Sequence, residues 1–346
     1  MRAYVYQRPL VLGLLLCGAT AALLVAGMLA GSSGLDDWHA MGSLWGLTPT
    51  DADTGMLSQI VWQIRLPRSM GAWLAGALLG LAGALAQAVF RNPLADPYLL
   101  GSASGASLGV CLALVGLDGS LVHMHWLARL GLTGAAFAGA MLAVAMTAML
   151  AHGVAQTLRL LLAGVVVAVV LGAATSVVLQ IHPHLLQSMQ GFMLGSTAFV
   201  GWDSCALMAG ALLSGWGVAL VMGRLLDGLA LGEQTAASLG LPVRPMRWAL
   251  IITLALATGA AVAHTGLIAF VGLAAPHITR RMVHWGARHG VVLASLMGGL
   301  LLVTADLLAR VVIAPRELPV GVLTALLGGA YLLWLMRRRE PFGGVS

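Results

Sequence analysis

Long apolar runs dominate the chain, broken at intervals by clusters of Arg, Pro, Gly or Asp. They fall near 10–31, 68–90, 98–117, 127–150, 159–181, 204–225, 246–264, 266–283, 290–311 and 319–336. Each run is continuous, and most approach the ~20 apolar residues that a helix needs to cross a hydrocarbon core of about 30 Å. The pattern predicts an all-α membrane protein of about ten spanning helices. It excludes a transmembrane barrel, whose strands alternate apolar and polar positions. The stretch 246–283, uncharged between Arg247 and Arg280, is too long for one span. It requires a hairpin, which His264-Thr265-Gly266 can supply.

Composition agrees with lipid as the solvent. The chain is 60% hydrophobic and 9% charged, with a mean hydropathy of +0.94, whereas soluble domains are roughly half apolar and a quarter charged. We read residues 1–346 as one membrane domain. The run after Arg2 and Arg8 is longer than a secretion-signal core and is read as the first span.

The 18 basic residues are all Arg. Without Lys there is no Walker-type phosphate loop and no Schiff-base lysine, so any ATP hydrolysis must come from another chain. Despite a pI near 10.0, the Arg residues punctuate apolar runs and form no basic face, which argues against nucleic acid. Cys17, Cys111 and Cys205 lie in separate apolar runs, so neither a disulfide nor a metal site is expected.

Basic residues are retained on the cytoplasmic side during insertion. With both termini inside, thirteen Arg fall on the cytoplasmic side and five outside: Arg65, Arg68, Arg129, Arg310 and Arg316. The long outer loop 32–64 carries Asp36, Asp37, Asp51 and Asp53. Its Trp38, Trp45 and Trp62 suit an interfacial segment.

Four features break the apolar pattern. RNPLADP at 91–97 follows a span that ends inside. Pro93 and Pro97 forbid a continuous helix, and each drives the residue before it out of helical conformation. The expectation is a rigid non-helical turn at membrane depth, which must be buried in protein or face water and so marks a candidate gate. LGEQTAASLGLPVRP at 231–245 is amphipathic and cytoplasmic, with a short helix between Gly232 and Gly240 suited to docking in a partner's groove. A plain solvated loop is its alternative. Asp306 and Arg310 are four apart and share a helix face. A local ion pair holding Arg310 at the outer surface is expected there, rather than a proton relay, because no second intramembrane acid follows. His123, His125, His182 and His184 fall in outer connections and are read as polar loop residues. The many small-x-x-x-small spacings, such as Gly76/Gly80 and Gly101/Gly105/Gly109, are read mainly as close helix packing.

These blocks resemble the FecCD/BtuC-type permease family of ABC importers, which carries iron–siderophores, haem and cobalamin. The likeness rests on RLPR (65–68), RNPLADPYLLG (91–101), MLGS (193–196), LGEQTAASLGLP (231–242), GLIAFVGLAAPHITR (266–280), ADLLAR (305–310) and ELPVGVLTALLGG (317–329). It implies a type II importer permease of ten helices in the bacterial inner membrane. Two copies would form a homodimer around a central pathway, with two ATPase subunits inside and a periplasmic substrate-binding protein outside. No cofactor is expected on this chain, since ATP and Mg²⁺ would sit on the ATPase.

By the same resemblance Arg65, Arg68 and Arg310 would meet acidic residues of the binding protein. Asn92, Pro93 and Leu94 would form the inner gate. Glu233, Ala236, Ala237, Leu239 and Gly240 would belong to the coupling helix, within a cytoplasmic loop at about 226–245. Phe192 stands where many relatives have Trp, Ala88 where Gly is frequent, and Ala330 where Pro is frequent, which leaves pathway width and the bend of the last helix open. The cargo reading is an iron chelate, with cobalamin as the alternative and an ion-driven transporter using Asp306 as the remote one. A membrane enzyme is disfavoured, since Asp306 and His264 alone offer no convergent acid, base or metal ligands.

Overall fold

The computed structural model describes residues 2–29, 58–116, 127–151, 157–283 and 286–337. Most of the 32–64 loop, with its four Asp, Trp38 and Trp45, lies outside these, as do His123 and His125. The described residues form α1 (Arg2–Leu29), α2 (Leu66–Phe90), α3 (Ser102–Gly116), α4 (Leu127–Leu150), α5 (Thr157–Ile181), α6 (Leu186–Leu194) and α7 (Trp202–Val221). These are followed by α8 (Gly223–Leu231), α9 (Glu233–Ser238), α10 (Val243–Thr265), α11 (Val271–Met282), α12 (Ala287–Val311) and α13 (Val320–Arg337). A single π-turn, Val61–Arg65, leads into α2. No strand occurs among the described residues.

Among the described residues seven helices are long and apolar enough to span a membrane, and Ser102–Gly116 and Val320–Trp334 are shorter apolar helices. The eighth expected span, 266–283, departs from the pattern. The chain does reverse at Gly266, whose φ is +69°. Residues 266–270 then run without helix, and α11 holds only 12 residues, about 18 Å at 1.5 Å per residue. Irregular backbone at that depth survives because it is buried in protein. Leu267 N–H donates to the Phe192 carbonyl at 3.0 Å, and Ser196 N–H to that of Thr265 at 2.8 Å. A second difference lies at 204–225, where helix breaks at Met222 and an amphipathic α8 begins.

At the centre of the molecule, α2 is buried on nearly every side and packs on α7, α10, α11 and α12. Small residues permit this. A Cβ on Gly76 would overlap the Gly298 carbonyl, one on Gly80 that of Ala294, and one on Gly83 that of Gly272. Gly105 and Gly109 play the same part against Gly139 and Ala135, joining α3 to α4. Where lipid offers no hydrophobic drive between helices, such backbone approach supplies the packing. Gly101 differs from the others in its row, because it closes the turn at 97–100 with φ +81°. In contrast to α2, α5 shows an apolar flank of Leu158, Leu162, Val165, Val169 and Val177 to the outside.

Candidate functional site

At the outer end, four charged side chains from α2, α12 and the α12–α13 connection meet. Asp306 is fully buried and pairs with Arg310, one helical turn on. The other oxygen of Asp306 accepts Arg68 Nε and Nη2 at 3.4 and 3.3 Å, and the Thr197 hydroxyl donates to it too. Arg68 also donates to Glu317, Nη1 reaching Oε1 at 3.0 Å. Arg310 also donates to the Ser69 hydroxyl at 3.2 Å and the Gly27 carbonyl at 3.3 Å, while its Nε has no partner among the described residues. Buried charge persists only when paired and hydrogen-bonded, and this cluster of two cations and two acids satisfies that condition.

The cluster alters one expectation. Arg310 is 4% exposed, so the ion pair holds it inside the protein and not at the outer surface. Its pairing with Asp306 follows from their spacing, but the donors and acceptors on α1, α2 and the 195–201 segment draw it inward. Arg65 is partly exposed and donates to the Met28 carbonyl at 3.1 Å. The indole of Trp202 donates to the Trp62 carbonyl at 3.1 Å nearby. His182 and His184 contact each other edge to face with centroids 5.7 Å apart, and His184 is exposed.

Arg68 and Glu317 stand on the wall of a cavity of about 780 Å³. Phe192, Ser196, Thr197, His264 and Pro319 also line it. The cavity thus takes its walls from the reversal at 264–266, the MLGS block and the start of α13. Its lining mixes apolar side chains with many polar ones, including the charged Arg68 and Glu317.

At the inner end, Phe90 ends α2 and Arg91 takes a left-handed conformation with φ 51°. Asn92, Pro93 and Leu94 form an exposed turn, in which Asn92 Oδ1 accepts Leu94 N–H at 2.9 Å. Asp96 caps the following turn by accepting Tyr98 N–H at 2.8 Å. Burial pushes the Asp96 carboxyl up to about 6, against the opposing pull of that N–H. A Cβ on Gly164 of α5 would overlap the Leu99 carbonyl, so this turn rests directly on α5.

The short helix α9 packs on α8 and α10. Ala236 is fully buried against Gly228 of α8, whereas Ala237, Leu239 and Gly240 are exposed. Leu231 and Leu239 leave 69% and 65% of their surface open, an apolar patch on a polar segment. Glu233 pairs with Arg247 at 2.6 Å. Asp227 of α8 accepts the Ala287 N–H at 2.6 Å, capping α12. Residues that reading the pattern missed are thus Arg247, Thr157, Asp227, Thr197 and Glu317. The two Thr and Glu317 carried no local signal, but a lone Arg at the mouth of an apolar run, such as Arg247, could have been questioned for a partner.

A family model for the FecCD transport family matches residues 15–338. The hemin transport system permease protein HmuU of Yersinia pestis is 39% identical over 309 residues, covering 87% of this chain and 89% of the relative. The vitamin B12 import system permease protein BtuC of Vibrio cholerae is 36% identical over 303 residues, covering 87% and 89%. A solved metal-chelate type ABC transporter in an inward-facing conformation superposes with a TM-score of 0.82 at 26% identity, over 95% of this chain and 99% of that one. On the family match and these relatives, the chain belongs to the FecCD transport family and is a multi-pass permease subunit of an ABC importer.

Proposed function

We propose that two copies of this chain form the pathway for an iron chelate, a ferric siderophore or haem, across the bacterial inner membrane. Both termini lie in the cytoplasm. Two ATPase subunits bind the cytoplasmic face and carry ATP and Mg²⁺, and a periplasmic binding protein delivers cargo outside. The observation that carries this reading is the exposed apolar pair Leu231 and Leu239 around α9, on the side rich in Arg, which suits insertion into a partner's groove. Glu233 and Ala236 anchor that helix from behind, while Ala237, Leu239 and Gly240 face the ATPase.

Arg65 and Arg68 receive the binding protein's acidic residues. Arg310 contributes from inside by holding Asp306 in line with Arg68. The cavity beneath Arg68 takes incoming cargo, and Asn92, Pro93 and Leu94 close the inner end. The apolar flank of α5 suits contact with the second copy. Cobalamin is the second cargo reading, favoured by the relative named for vitamin B12 as much as haem is by the one named for hemin.

The test is uptake of haem, a ferric hydroxamate and cobalamin in cells carrying the permease with its ATPase and binding protein. We expect one of the three to accumulate and to stop accumulating when the ATPase is inactivated. Accumulation of none of them would reject the cargo class.

A further inference from the structure

We propose that Arg247 is the relay that carries movement of the coupling helix to α5 and, through α5, to the inner turn at 91–101. The inference rests on the reading of α9 as the ATPase contact, and it adds a path through this chain's own side chains.

Arg247 stands one turn inside α10 and is 1% exposed. Its two terminal nitrogens point to different elements. Nη1 donates to Glu233 Oε1 of α9 at 2.6 Å, and Nη2 donates to the Thr157 hydroxyl at the start of α5, also at 2.6 Å. Its Nε has no partner among the described residues, so burial of this guanidinium is not explained by full local satisfaction. A planar, permanently charged fork is the side chain suited to hold two partners in fixed relation.

The path continues by packing. Thr157 and Gly164 are seven residues apart on α5, about 10 Å along its axis. Gly164 lets the Leu99 carbonyl sit against the α5 backbone, and Gly101 lies against the Val167 side chain. A displacement of Glu233 therefore has a continuous route: Arg247, Thr157, the first turns of α5, then the segment that begins with Asn92. Contiguous hydrogen bonds and rigid helices are the physical carriers of such coupling. The link between α9 and α5 is otherwise thin, because the other fixed contacts of the α8–α9 region are made to α2, α7, α10 and α12.

The experiment uses the complete importer in proteoliposomes and reads cargo molecules moved per ATP hydrolysed. Thr157→Val removes the hydroxyl at nearly constant volume, and Thr157→Ser restores it. Glu233→Gln weakens the other arm. We expect Thr157→Val and Glu233→Gln each to lower the transport ratio by about five-fold or more, with uptake falling further than ATP hydrolysis. The double variant should be no worse than the poorer single one, and Thr157→Ser should recover the ratio. Arg247→Met interrupts both arms and should match the double variant. If it does not fold, the Thr157 pair still decides the question.

An unchanged ratio in Thr157→Val, or strictly additive losses in the double variant, would overturn the relay while leaving the importer reading intact. Uptake that ignores ATP in the unaltered protein, or an ATPase that fails to bind the permease, would instead reject the coupling-helix reading itself.

Discussion

Removing one partner from a buried ion cluster leaves the others uncompensated, and that asymmetry fixes what single residues do here. Asp306 answers two guanidinium groups, so Asp306→Ala should lower the stability of the detergent-solubilised protein by about 3–5 kcal/mol. Glu317, half open to solvent, should cost no more than about 1 kcal/mol when replaced by Gln. Thermal unfolding of the two variants compares them directly, and equal losses would contradict the hierarchy. Glycine obeys a similar rule. Gly83→Ala pushes a methyl group into the Gly272 carbonyl and should cost about 1–3 kcal/mol by overpacking. Gly172→Ala meets open space and should be neutral or slightly stabilising, since Ala favours the helix. The first substitution unfolding no earlier than the second would argue against the α2–α11 contact.

Among the elements, α9 makes the sharpest demand. Leu239→Asp puts charge into the apolar patch without touching the contacts that anchor the helix, so the permease should fold with normal yield yet lose its ATPase on co-purification. Retention of the ATPase would place its contact elsewhere. Which elements could be foreseen depends on how far each signal reaches along the chain. Apolar length located the spans, Pro93 and Pro97 located the inner turn, and the uncharged stretch after Arg247 required a reversal near Gly266. Helix pairs such as Gly76/Gly80 against Gly298 followed from spacing on one side only. The shortness of α11 did not follow, because it depends on Phe270 adopting a φ of 68°, which its chemistry does not favour. The break at Met222 is marked in the letters only by Gly223 and Arg224, which close the apolar run. Arg310 illustrates the remaining limit. Its neighbour at i−4 is visible in the letters, but Ser69 and Gly27, which accept from it, and Thr197, which donates to Asp306, are brought together only by the fold.

On the scale of the whole molecule, the charge cluster and the 91–101 turn lie at opposite ends of α2, and α12 joins the cluster to the Asp227 cap at its own N-terminus. A protein so arranged can respond at one end to a partner at the other, provided its helices move as units. ATP hydrolysis by a partner chain, and not an ion gradient, is expected to drive passage through this permease. The most direct measurement is accumulation of cargo by proteoliposomes containing the permease, its ATPase and its binding protein, with ATP supplied to the ATPase side and an ionophore added to collapse all gradients. Accumulation should survive the ionophore and stop when the ATPase is inactivated; accumulation that collapses with the gradient and proceeds without ATP would show that the permease is driven by an ion gradient instead.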